Sequence, residues 1–175
     1  MFNNKRKQKG MVLVMTASKD FIIVHTISER RTIQGDEVNV SKTENWTLKK
    51  YVGNDKNIVI PVGINTIGPR AFENCESVTS VSIPGSVKMI GANAFSKCNN
   101  LETVCILKGK KRIEIGYRAF GECANLKKLV IEGDMLWANG HPCMFSHCPN
   151  LTIYGPTNSS IQVHAKQEKI SFVEI

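Results

Sequence analysis

Apolar residues recur along this chain on two superimposed rhythms. Within short segments they alternate: Val81 and Ile83 in "SVSI", Val104 and Ile106 in "TVCI", Leu129 and Ile131 in "KLVI". Such alternation predicts strands with one buried and one open side. A second short extended piece follows across a turn and ends in Ile-Gly, at Ile67-Gly68, Ile90-Gly91 and Ile115-Gly116. Then comes one of four near-identical pentads: "AFENC" at 71–75, "AFSKC" at 94–98, "AFGEC" at 119–123 and "MFSHC" at 144–148. Their phenylalanines, Phe72, Phe95, Phe120 and Phe145, are 23, 25 and 25 residues apart. Three residues past each cysteine stands Val78, Leu101, Leu126 or Leu151. Each unit therefore reads as strand, turn, extended piece and a compact helical turn carrying Ala-Phe.

No single unit of this size can bury its apolar side; stacking the units buries a continuous column. Phenylalanine supplies a large buried area per rung, alanine a close approach, and cysteine a small core filler. Side chains in a ladder point the same way, so bridges between the stacked cysteines are not expected. The predicted fold is a right-handed β-rich repeat solenoid with parallel stacked strands.

The segment "VSIPGSVKMIGANAFSKCNNLETVCI" at 81–106 resembles the unit of the BspA-type leucine-rich repeats at nearly every motif position. The resemblance covers about 44–175: "ENWTLKKYVGNDKNIVIP" is similar to a lead-in, and the tail from Asn150 to the usual close of strand, helix near 159–168 and last strand. The fourth unit departs, with Gly140-His141 where Ile-Gly is due and Met144 for alanine, and "EGDMLWANGHPCMF" is expected to bulge. The resemblance implies a binding solenoid, commonly secreted or displayed on a cell surface, whose partner is a protein such as a host or matrix protein. Residues 1–50 are read as a basic tail and β capping element, and 51–175 as the solenoid with a closing cap from about 151. In the cap, "MVLVM", "FIIVHTI" and "QGDEVNV" read as strands, and Trp46 is expected to plug the end of the core.

Alternation turns two columns of side chains outward. One is Asn57, Ser80, Thr103 and Lys128; the other is Val59, Ser82, Cys105 and Val130. This small-chained, nearly neutral face, lacking a large aromatic anchor, is the candidate protein-binding surface.

The net charge of +8 adds an alternative. Lys108, Lys110, Lys111 and Arg112 sit in a loop where the third unit gains two residues, and with the basic tail they could hold a polyanion. No aromatic residue is interleaved with them, which argues against nucleic acid. His141, Cys143, His147 and Cys148 have zinc-compatible chemistry, but the spacing is not that of a zinc finger and the repeat assigns Cys148 to the core. No metal or cofactor is expected. His25 and His164 are isolated in sequence, with His164 expected to face solvent from the closing helix.

No catalytic signature is present, so an enzyme is not expected. No apolar run approaches the roughly 20 residues of a membrane-spanning helix. "MVLVM" is short for a signal peptide and Lys19-Asp20 follows closely. Family resemblance therefore points to the surface, the weak signal to the cytoplasm.

Overall fold

The computed structural model describes residues 9–18, 20–34, 37–137 and 143–175. Thirteen strands among them form two sheets. The first has six parallel strands: β4 (Asn57–Val59), β6 (Ser80–Ile83), β8 (Thr103–Ile106), β10 (Lys128–Ile131), β12 (Thr152–Gly155) and β13 (Ser171–Glu174). The second runs β1 (Lys9–Ser18), β2 (Phe21–Gln34), β3 (Glu37–Tyr51), β5 (Thr66–Ile67), β7 (Met89–Ile90), β9 (Ile113–Ile115) and β11 (Met135–Trp137). The chain passes back and forth between the sheets, giving a solenoid of about five turns. Equivalent residues pair rung to rung, Val81 with Val104 and Val104 with Leu129.

The core is a column of rings. Phe72, Phe95 and Phe120 are fully buried, with successive centroids 4.7 and 5.2 Å apart; Phe145 continues at 5.6 Å. These separations track the 4.7–4.9 Å between strands, so one phenylalanine per turn fills its layer. Tyr51 stacks on Phe72 at 5.1 Å and Phe21 packs on Tyr51 at 5.4 Å. These two rings cover the end of the phenylalanine column, and Trp46 packs, partly buried, against the core beside it. Trp46 lies farther along β3, stacked on the buried His25 at 3.9 Å. Register decides this: His25 pairs with Trp46 and Phe21 with Tyr51, and only the latter pair meets the phenylalanines.

The cysteine has a more specific role than filling. The thiols of Cys98, Cys123 and Cys148 donate to the carbonyls of Phe72, Phe95 and Phe120 in the preceding turn, at 3.0, 3.0 and 3.1 Å. Cys75, with no pentad before it, is only half-buried. All six cysteines are free. Burial pushes the Cys98 thiol up to about 12.

The helical turn expected around Ala-Phe is replaced by two consecutive hydrogen-bonded turns. Ala94 N–H donates to Gly91 and Cys98 N–H to Phe95. The third residue of each turn is left-handed, Asn93 at φ 56° and Lys97 at φ 61°; Arg70 and Asn74, and Arg118 and Glu122, repeat the pair. A helix cannot propagate through such residues. Cys143–Phe145, a short 3-10 turn, is the helical exception among the described pentads.

At the amino end, β1, β2 and β3 form an antiparallel ribbon. Thr47 and Leu48 of β3 pair in parallel with Thr66 and Ile67, so the ribbon extends the second sheet. At the other end, β12 leads to helix α1 (Ser160–Gln167), capped by the Ser159 side chain accepting from Gln162 N–H, and to β13. His164 is fully buried, contrary to the sequence expectation, and Val163 is the exposed neighbour. Ile161, His164 and Ala165 share the inward face at helical spacing, bringing the imidazole 5.7 Å from the Phe145 ring.

In the fourth unit, Met135 pairs with Ile113 and Trp137 with Ile115. Trp137, rather than Gly140, therefore occupies the Ile-Gly rung. It stands eight residues before Phe145, where Ile115 stands five before Phe120. Of the expected bulge over 132–145, Met135–Trp137 keeps its place in the stack and Cys143–Phe145 forms a 3-10 turn, while 138–142, with His141, lies outside the described residues.

Candidate interaction surfaces

The outward columns of the first sheet are straight because every strand pair keeps the same register. Asn57, Ser80, Thr103 and Lys128 lie on successive rungs, as do Val59, Ser82, Cys105 and Val130. Their inward neighbours Ile58, Val81, Val104 and Leu129 are buried. Ser80 donates to the Asn57 side chain at 2.7 Å, which ties adjacent rungs from outside.

The columns continue beyond the sequence-based set. Thr152 and Ser171 extend the first, Tyr154 and Val173 the second. Six rungs at about 4.8 Å make a ridge about 24 Å long. Tyr154 supplies an aromatic ring that the sequence reading had not placed on the face, with Lys128 Nζ 4.9 Å from its centroid. The alternation in "LTIYG" carried this signal. It was obscured because the closing segment has no pentad after it to set the frame.

The basic loop lies at a turn between the sheets. Lys108, Lys110 and Lys111 border a groove of about 560 Å³ with Asn65, Ser86 and Lys88, and the last three come from neighbouring turns. Arg112 is turned away, its Nε 3.0 Å from Asp134. Asp134 also accepts the backbone N–H groups of Met135 and Ser160, at 2.9 and 3.0 Å. Burial works to raise this carboxyl, but those N–H bonds and Arg112 outweigh it and hold it below the ordinary value.

Of the zinc-compatible residues, Cys143, His147 and Cys148 line a cleft of about 380 Å³ together with His164. Cys143 is exposed, Cys148 is committed to Phe120, and His147 is left-handed at φ 60°. No three His, Cys, Asp or Glu side chains among the described residues stand close enough to hold a metal ion. Burial lowers the His164 imidazole, opposed by Glu168. His25 is likewise not isolated: its Nε2 is 3.6 Å from Glu44. Among the described residues no helix is long and apolar enough to cross a membrane.

Residues 50–167 match the model of the BspA type leucine rich repeat region, in six copies. A leucine-rich repeat protein from Bacteroides capillosus is similar in structure, at 24% identity and TM-score 0.51, over 71% of this chain and 93% of that one. A leucine rich cell surface protein from Faecalibacterium prausnitzii matches at 25% identity and TM-score 0.46, over 82% of this chain and 45% of its own length. The T. pallidum leucine rich repeat protein matches at 21% identity and TM-score 0.41, over 72% and 68%. The comparison with curated proteins gives no significant match.

Proposed function

The chain belongs to the BspA-type leucine-rich-repeat family, and from that membership we propose that it is a non-catalytic protein-recognition module, adhesive or scaffolding, that engages its partner through the six-stranded face. Leucine-rich-repeat proteins are generally protein-interaction modules. The observation that carries the reading is the unbroken register of the outward columns from Asn57 to Ser171 and from Val59 to Val173. Flat backbone with short side chains admits close approach of another protein surface. Tyr154, braced by Lys128, gives that surface an aromatic anchor at one end. Partner contacts of this kind depend on fit and desolvation, so they should survive salt that screens exposed charges.

The test is an affinity capture with the full chain and with Ser82→Arg/Thr103→Arg, which places two long cations in the middle of the face. Matrix and cytoplasmic extracts are both used, with nuclease treatment and a high-salt wash. A protein retained by the wild type and lost with the double variant is the expected result. Retention of the same protein by both forms would sink the assignment of this face.

A further inference from the structure

We propose that the groove between the stacked turns 83–88 and 106–112 is a binding site for a sulfated polysaccharide, separate from the strand face. The groove exists because two glycines let the turns touch. A side chain on Gly85 would collide with the Lys108 carbonyl oxygen, and one on Gly109 with the Gly85 carbonyl oxygen. That approach sets Lys108, Lys110 and Lys111 of one turn beside Lys88 and Ser86 of the turn before, with Asn65 from the turn before that.

The site consists of donors. Lys88, Lys108, Lys110 and Lys111 are exposed, and among the described residues none of them forms a side-chain ion pair with a carboxylate. Of the nearby acids, Asp134 is engaged by Arg112 and Glu132 by the backbone N–H of Lys108 at 3.2 Å, while Glu114 stands on the adjacent strand, its N–H donating to the Lys88 carbonyl at 2.8 Å. Ser86 Oγ accepts from Gly63 N–H at 3.2 Å, and Asn65 Oδ1 from Trp46 N–H at 3.0 Å. What these two side chains offer a ligand is therefore an O–H and an NH2 group. Four ammonium groups, a hydroxyl and an amide donor match sulfate oxygens and sugar hydroxyls. At about 560 Å³ the groove admits sugar units carrying several sulfates rather than a single small anion. No aromatic residue lines it, so bases would have nothing to stack on, which separates this chemistry from single-stranded nucleic acid.

The experiment measures binding of the full chain to immobilised heparin, dextran sulfate, hyaluronan (carboxylates without sulfate) and a DNA duplex across a salt series. A groove variant, Lys88→Gln/Lys108→Gln/Lys110→Gln/Lys111→Gln, is compared with Lys49→Gln/Lys50→Gln/Lys56→Gln/Lys166→Gln, which removes the same charge from exposed positions elsewhere. The wild type should hold heparin and dextran sulfate at least about tenfold more tightly than hyaluronan or the duplex. In the groove variant the dependence of log affinity on log salt should flatten by about three to four, and in the control by less than about one. The single change Lys88→Gln should remove about one of these, since Lys88 belongs to the groove but not to the basic loop. Equal losses in the two quadruple variants, an unaffected Lys88→Gln, duplex binding as tight as heparin binding, or no retention of the wild type on heparin would each overturn the proposal.

Discussion

Cys123 is the most direct test of why this chain repeats a cysteine. It is fully buried, and its thiol donates to the Phe95 carbonyl one turn away at 3.0 Å. Truncation to alanine removes a sulfur, worth about 1 kcal/mol of transfer free energy, and leaves a residual void of roughly 25 Å³ that adds about 0.6 kcal/mol. Loss of a weak hydrogen bond adds about 0.5 kcal/mol, for a total near 2 kcal/mol. Serine loses the same transfer term but keeps a donor aimed at the same oxygen, so Cys123→Ser should cost only about 1 kcal/mol. If the thiol were no more than apolar filler, the serine hydroxyl would be buried without a partner. Its penalty of about 1–3 kcal/mol would then make serine the worse variant. Equilibrium urea unfolding of wild type, Cys123→Ala and Cys123→Ser, read as midpoints at constant slope, separates the cases. Serine more destabilising than alanine would refute the inter-turn bond.

Two further outcomes follow from the turns and from Asp134. Lys97 is exposed and left-handed at φ 61°, so Lys97→Gly should raise stability by about 0.5–1 kcal/mol in the same unfolding assay, the relief of a side-chain clash being partly offset by added freedom in the unfolded chain. The Asp134 carboxyl is held below its ordinary value, so the stability it contributes is present at neutral pH, above the unfolded value of about 3.9, and is lost as pH falls through the lowered folded value. Asp134→Asn should cost about 1–2 kcal/mol at pH 7 and flatten that acid limb of the thermal midpoint against pH; an unchanged limb would assign it to other carboxylates.

The repeat was readable because each of its signals is local. Alternation in "SVSI" and "TVCI" is a property of adjacent residues, and Phe72, Phe95 and Phe120 recur at a spacing that any stacked strand architecture must respect. The outward columns followed from the same alternation, and the basic loop from two added residues. Where reading faltered, the deciding contact was distant. Arg70 and Lys97 carry no glycine signature, because the left-handed turns they make are held by bonds between turns rather than by their own preference. His164 reads as a polar residue of a solvent-facing helix until Phe145 supplies the surface that buries it. Trp46, the largest candidate plug, packs against the core beside the ring column rather than over it, because the register aligns Phe21 with Tyr51 at the column's end.

The composition of one turn, its strand, its phenylalanine and its cysteine, was thus determined by the sequence alone, since the physics of a repeat is the physics of one unit meeting its copy. The tertiary structure alone decided what lies where copies end or differ. It placed Tyr154 on the face, Lys88 beside the basic loop, and Tyr51 over the ring column. At those places the neighbour is not a copy, so periodicity carries no information about which residue it will be.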